Sequence, residues 1–229
     1  MSNNKIINTM DDKIAIRRRV VISVGVIALV LVIDQIIKIA VKTHMWVGER
    51  ISVTDWFQIF FTENKGMAFG LDFFGTFFLA LFRLVAVVGF SYLLAKLIKK
   101  KAPYGLVVCW ACLIAGAAGN IIDNCFYGLI FSESGICQGP VSTFVDWGEG
   151  YGSFLSGRVV DMFYFPLFDW PNWVPFVGGG TFFGAVFNFA DASISCGAVA
   201  LLLFYHKYLN AEYMFDKKFE EPSPRKDEE

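Results

Sequence analysis

A mainly α-helical membrane protein with four transmembrane helices and both termini in the cytoplasm is the fold class that this sequence predicts, on three observations. Of its 229 residues, 55% are hydrophobic and 18% charged, a balance too apolar for an ordinary soluble domain. Four apolar runs, at about 20–41, 77–98, 104–122 and 182–205, approach the ~20 residues that cross a bilayer as a helix. Basic residues cluster at Arg17 to Arg19, at Lys96, Lys99, Lys100 and Lys101, and in the C-terminal tail, which assigns those parts to the cytoplasm. The net charge of -1 therefore hides a topological asymmetry and gives no sign of a nucleic-acid partner.

Taken in order, residues 1–19 form a polar cytoplasmic segment, and 20–41 is apolar except for Asp34, Gln35 and Lys38. This first run is expected to be retained as a span, because it is long, carries charge near its far end and lacks a small-residue cleavage site. Asp34 and Lys38 stand four residues apart, so they share a helix face and partly neutralise one another. The first outer segment, 42–76, holds a β-like aromatic patch at Ile51 to Thr62. Asn64, Gly66 and Gly70 follow it, and read either as a tight turn presenting backbone to an extended peptide or as an ordinary connecting loop.

The second run, 77–98, contains Arg83, which either snorkels to the outer surface or pairs with an acid at a site. A short basic loop closed by Pro103 leads to the third run, where Ala111, Ala115 and Gly119 make a small-residue stripe suited to close helix packing. Asn120 and Asp123 end it one turn apart, either as a helix cap or facing a common cavity.

The second outer segment, 123–181, is poor in lysine and arginine, with Arg158 the sole basic residue after Asn124. Its aromatic stretch Phe163 to Trp173 suits the headgroup zone. The last run, 182–205, carries Asn188 and Asp191, and the charged remainder 206–229 is expected to be a disordered cytoplasmic tail.

Cysteines and histidines add little chemistry. Cys109, Cys112 and Cys196 read as packing residues, while Cys125 and Cys137 share an outer segment and are candidates for a disulfide. Neither His44 nor His206 has a plausible catalytic neighbour, and no HExxH, GxSxG or Walker-type motif is present.

The four-span arrangement brings Asp34, Asn120, Asp123 and Asp191 to one surface, joined there by Asn64 and Asp161 from the outer segments. Acids crowded in a low-dielectric zone cannot all ionise, so at least one proton is shared, as in aspartic protease dyads. Such a pair activates water and polarises a carbonyl without metal or cofactor. A proton-coupled transporter and a noncatalytic membrane scaffold are the competing readings.

Five ordered motifs, DQIIK at Asp34 to Lys38, NKGMAFG at Asn64 to Gly70, GAAGNIID at Gly116 to Asp123, GRVVDMF at Gly157 to Phe163 and FNFAD at Phe187 to Asp191, carry a resemblance. Together they make the chain similar to bacterial lipoprotein signal peptidase, or signal peptidase II. The resemblance implies an inner-membrane aspartic endopeptidase facing the periplasm, which removes the signal peptide from diacylglyceryl-modified prolipoproteins just before the lipidated cysteine. It implies Asp161 and Asp191 as the catalytic pair. Asp34, Lys38, Asn64, Gly66, Asn120, Asp123, Asn188 and Ala190 match positions that surround the dyad or contact substrate. Membrane lipid and globomycin-type inhibitors are further implied partners. The chain departs from the family pattern at Asn124, where arginine is usual, and Arg158 is the expected replacement. It departs again in longer stretches at 131–157 and 171–185.

Overall fold

The computed structural model describes the backbone of residues 2–64, 72–210 and 213–214, and the side chains of these from residue 10 onward apart from 72–76. Gly66 and most of the C-terminal tail lie outside the described residues. Helix α1, Ser2–His44, runs well beyond the first apolar run. No glycine or proline interrupts its polar beginning, so the helix continues from the apolar stretch into the basic segment. Helices α2, Asp72–Lys99, and α3, Tyr104–Ile122, follow. A π-helical turn, Asp123–Tyr127, extends α3 into the short α4, Gly128–Ile130.

Within the described residues, three helical stretches are long and apolar enough to cross a membrane: Met10–His44, Phe77–Lys99 and Tyr104–Ile130. The fourth apolar run forms a shorter helix than its hydropathy suggests, α5, Phe189–Phe204. Its 16 residues rise about 24 Å, less than the ~30 Å of a hydrocarbon core. The reason lies upstream, where Thr181–Phe182 forms a strand and Asn188 caps the helix.

The middle of the bundle is α3, which packs against α5, α1 and α2. Its expected small-residue stripe is buried, and the closest approach to the backbone of α5 is one residue off it, at Gly116. A Cβ there would lie 2.3 Å from the Ala190 carbonyl oxygen, so only glycine admits α5 this closely. Val24, Leu29 and Val32 of α1, Phe82, Val85 and Val88 of α2, and Leu202 and Leu203 of α5 are exposed. An apolar exterior of this kind is what lipid requires of a spanning bundle.

Strands β1, Arg50–Thr54, β2, Phe57–Asn64, and β3, Val159–Tyr164, form an antiparallel sheet in the order β1-β2-β3. The β2–β3 register sets Thr62 opposite Asp161 and Glu63 opposite Val160. A second core containing Val41, Phe61, Tyr127, Phe131, Val160 and Met162 fastens this sheet to the end of α1. Strands β4, Phe168–Asp169, and β5, Thr181–Phe182, pair within the aromatic stretch, with Phe168 and Phe182 stacked at 4.7 Å. Cys125 is buried, Cys137 is exposed, and both are free thiols, so the candidate disulfide is not formed.

Candidate active site

Asp161 sits in the middle of β3, and the residue two places on carries the connection to α5. Phe163 N donates to Phe187 O at 2.7 Å, and Phe187 N returns a bond to Phe163 O at 3.1 Å. That bridge delivers the next residue, Asn188, to Asp161. Asn188 is extended and caps α5 in a capping box, its Oδ1 accepting from Asp191 N at 2.9 Å while Asp191 Oδ2 turns back toward Asn188 N at 3.5 Å. The box fixes Asp191 in the first turn of the helix, where the dipole favours negative charge.

Two amides connect the acids. Asn188 Nδ2 donates to Asp161 Oδ1 at 2.6 Å and to Asn120 Oδ1 at 3.1 Å. Asn120 Nδ2 donates to Asp191 Oδ1 at 2.8 Å. Asn120 Oδ1 also accepts from Lys38 Nζ at 2.8 Å, which fixes which end of this amide is oxygen.

Beneath the pair, Asp34, Lys38 and Asp123 are fully buried. The Lys38 ammonium lies 2.9 Å from Asp34 and 2.8 Å from Asp123, so a single cation serves two carboxylates. Asp34 Oδ1 accepts from Ala190 N at 2.8 Å, holding the start of α5, and Asp123 Oδ2 accepts from Val160 N at 3.3 Å, holding β3 next to Asp161. Gln35 Nε2 donates to Asp123 Oδ1 at 2.9 Å, and its Oε1 accepts from Tyr127 at 3.1 Å. Asp34 and Asp123 thus each order an element that carries one of the two acids.

Burial pushes the Asp161 carboxyl up to about 7, and the negative charge of Asp191 adds to the rise. The Asn188 bond and the Lys38 charge oppose it without cancelling it. Asp161 is therefore half-protonated near neutrality, the condition an acid-base partner needs.

The remaining sequence candidates lie further out. Asn64 ends β2 opposite Val159 and is exposed. Arg158 reaches Glu63 at 3.0 Å and Glu133 at 2.5 Å, and so belongs to a second charged cluster. There Glu63 also takes the buried Lys42 ammonium at 2.5 Å and the Ser134 hydroxyl at 2.7 Å. Burial alone would raise the Glu63 carboxyl, but Lys42 and the hydrogen bonds hold it below its usual range. The cation that reaches the Asn124 side chain is Arg83, whose Nη1 donates to Asn124 Oδ1 at 3.0 Å. Asn124 in turn donates to Gly157 O at 2.7 Å and accepts from Gly157 N at 2.9 Å, which secures the entry to β3.

Sequence reasoning gave no role to Gln35, Lys42, Glu63 or Tyr127. Lys42 had a signal, since Asp34, Lys38 and Lys42 recur every four residues on one helix face. Glu63 and Tyr127 had none, because their partners come from distant segments.

Comparison with known proteins places this architecture. The family model described as signal peptidase (SPase) II matches residues 26–207. The chain is 50% identical over 186 residues to a lipoprotein signal peptidase of Porphyromonas gingivalis (strain ATCC 33277), covering 79% of this chain and 81% of that one. It is 32% identical over 191 residues to a lipoprotein signal peptidase of Amoebophilus asiaticus, covering 78% and 75%. A bacterial membrane enzyme solved by the in meso method at 1.9 Å resolution shares the fold, with a TM-score of 0.54 at 23% identity over 79% of this chain and 90% of that one. With the model match running from α1 to beyond α5, the chain belongs to the signal peptidase II family.

Proposed function

We propose that this protein is an aspartic endopeptidase that removes the signal peptide from diacylglyceryl-modified prolipoproteins, cutting just before the lipidated cysteine. The observation that carries this reading is Asn188, which bonds the Asp161 carboxylate while capping the helix that presents Asp191. Family membership supports the substrate class.

In this reading Asp161 holds a proton near neutrality, and Asp191 acts as the carboxylate partner. Asp191 takes a proton from a water whose oxygen attacks the scissile carbonyl, while the Asp161 proton hydrogen-bonds the carbonyl oxygen. The tetrahedral intermediate collapses as Asp191 passes the proton taken from water to the cysteine nitrogen, the C–N bond breaks, the carbonyl re-forms and the cysteine leaves as the free amine. Asn120 and Asn188 keep the acids in place, and the cluster of Asp34, Lys38 and Asp123 holds the elements beneath them. Globomycin-type inhibitors are expected to compete for the same cleft.

The distribution of charge supports a bacterial inner-membrane protein of four spans with this site on the periplasmic side. Arg19 bonds the backbone of Lys101 and Ala102, so the basic ends of α1 and the α2–α3 turn meet at one end of the bundle. The acids lie at the other. The short α5 serves as the fourth span, and the aromatic hairpin of β4 and β5 rests in the headgroup zone, with Trp173 and Phe176 exposed near its tip.

The test is cleavage of a synthetic diacylglyceryl lipopeptide by the purified wild type, Asp161→Asn and Asp191→Asn, each checked for folding by thermal melting in detergent. Cleavage by the wild type and its loss from both folded variants is the expected result. A folded wild type that cuts no lipidated substrate, or a folded variant that retains full activity, sinks the reading.

A further inference from the structure

Helix α1 carries three consecutive arginines, and the structure gives them different surroundings. Arg19 is buried: its guanidinium donates to Ala102 O at 2.7 Å, Lys101 O at 2.8 Å and Ala15 O at 3.0 Å, and lies 4.4 Å over the Tyr104 ring. It binds α1 to the start of α3. Arg17 and Arg18 are exposed, and among the described residues they have neither an ion pair nor a hydrogen bond. Both open onto a crevice of about 410 Å³ between α1 and α3, whose other walls are Ile14, Val21, Ile22 and Tyr104.

Among the described residues, no acidic side chain lines this crevice. The nearby Asp12 is engaged with Lys101 at 2.5 Å. Arg17 stands 17 residues before Asp34 on one continuous helix, about 25 Å away, so the crevice lies at the end of the bundle opposite the acids. It is separate from the candidate active site.

Two guanidiniums without a carboxylate favour an anion, and their planar donor forks match the oxygens of a phosphate. A free anion would leave the aliphatic walls in water. Those walls belong to a membrane-spanning stretch, and Tyr104 is a residue type suited to the headgroup level. Basic crevices between spanning helices recognise phosphate headgroups on these grounds. We propose that this crevice binds an anionic phospholipid of the membrane, with its phosphate on Arg17 and Arg18 and an acyl chain along Val21 and Ile22.

The experiment compares binding of phosphatidylglycerol and phosphatidylcholine to the purified full-length chain by native mass spectrometry, with inorganic phosphate as the soluble control. Each arginine contributes about fivefold at a membrane surface, so the wild type is expected to prefer phosphatidylglycerol by roughly tenfold or more. The double variant Arg17→Gln/Arg18→Gln should lose most of that preference. Ile22→Trp, which fills the crevice and keeps every charge, should lose it as well, and carries the test if neutralising the arginines disturbs membrane insertion. Equal binding of the two lipids by the wild type, or an undiminished preference in a folded variant, overturns the proposal. Displacement of the lipid by millimolar inorganic phosphate also overturns it, since the crevice would then recognise a soluble anion.

Discussion

Asn188 donates its side-chain amide to Asp161 at 2.6 Å across 27 residues of chain, although one residue belongs to a helix cap and the other to a strand. This bond connects the sheet to α5 at the site. Asn188→Ala should lower kcat by about a hundredfold or more, because the Asp161 partner and the cap on Asp191 go together, and removal of the cap should cost about 1–2 kcal/mol. Asn188→Ser separates the two effects. A serine still caps α5 but is too short to reach Asp161, so melting should stay near wild type while activity remains low.

Asp161 makes a prediction with a definite sign. Its folded value of about 7 lies above its ordinary value of 3.8, so between these the folded state holds a proton that the unfolded chain has lost. Stability attributable to Asp161 is full below pH 4 and is lost as pH rises toward 7. Asp161→Asn removes that dependence, so the variant should be no more stable than wild type at pH 4 and more stable at pH 7.5, by ~1–3 kcal/mol. Thermal melting at the two pH values checks the difference, and equal gains at both would contradict it.

Arg83 bears on the working pH. Around the Asp161 carboxyl lie Asp191 from α5, Lys38 from α1 and Asp123 from the π-helical turn, and Arg83 of α2 interacts with it electrostatically. Asp34 and Asp123 share the Lys38 ammonium, so one cation serves both carboxyls of this cluster. Arg83, which forms no ion pair among the described residues, interacts electrostatically with Asp191, Asp123 and Asp161. Arg83→Gln removes that positive charge and should move the alkaline limb of the kcat/KM profile upward by roughly half a unit to one unit. Arg83→Lys should leave the limb near its original place. An unmoved limb in Arg83→Gln would show that the residue acts only through Asn124.

The second charged cluster predicts a stability effect. Glu63 is held below its ordinary value, so its contribution is present above pH 4.5 and lost as pH falls through the depressed folded value. Glu63→Gln leaves the buried Lys42 ammonium without its acid and should cost about 3–5 kcal/mol near neutrality. The double variant Lys42→Met/Glu63→Leu should cost less than this single change, since no buried charge is stranded. Melting of the single and double variants in detergent measures the comparison.

Much of the architecture was legible because membrane helices declare themselves locally. Apolar length revealed α1, α2 and α3, and the motif order singled out Asp161 and Asp191. Helix ends were harder to read. The polar residues before Val20 continue α1 because nothing stops them, and α5 starts at Phe189 because Thr181, Phe182 and Phe187 pair with other segments. Arg158 was placed by its type and its isolation in sequence, yet it lies beside Glu63, brought there by the β2–β3 pairing, and Glu133, brought there by the 131–157 stretch folding back. Arg83 showed only as an intramembrane cation, and its bond to Asn124 exists in three dimensions alone.

The pairing of Phe163 with Phe187 has a consequence for biogenesis. Asp191 is carried by helix α5, whereas Asp161 is carried by a strand that pairs with β2, and the Phe163–Phe187 pairing is where the two meet. A chain whose helices have inserted but whose sheet is unformed holds only half of the acid pair. On the proposed reading, hydrolysis therefore requires the sheet and α5 to have met at this pairing, since only then do both acids stand at the site.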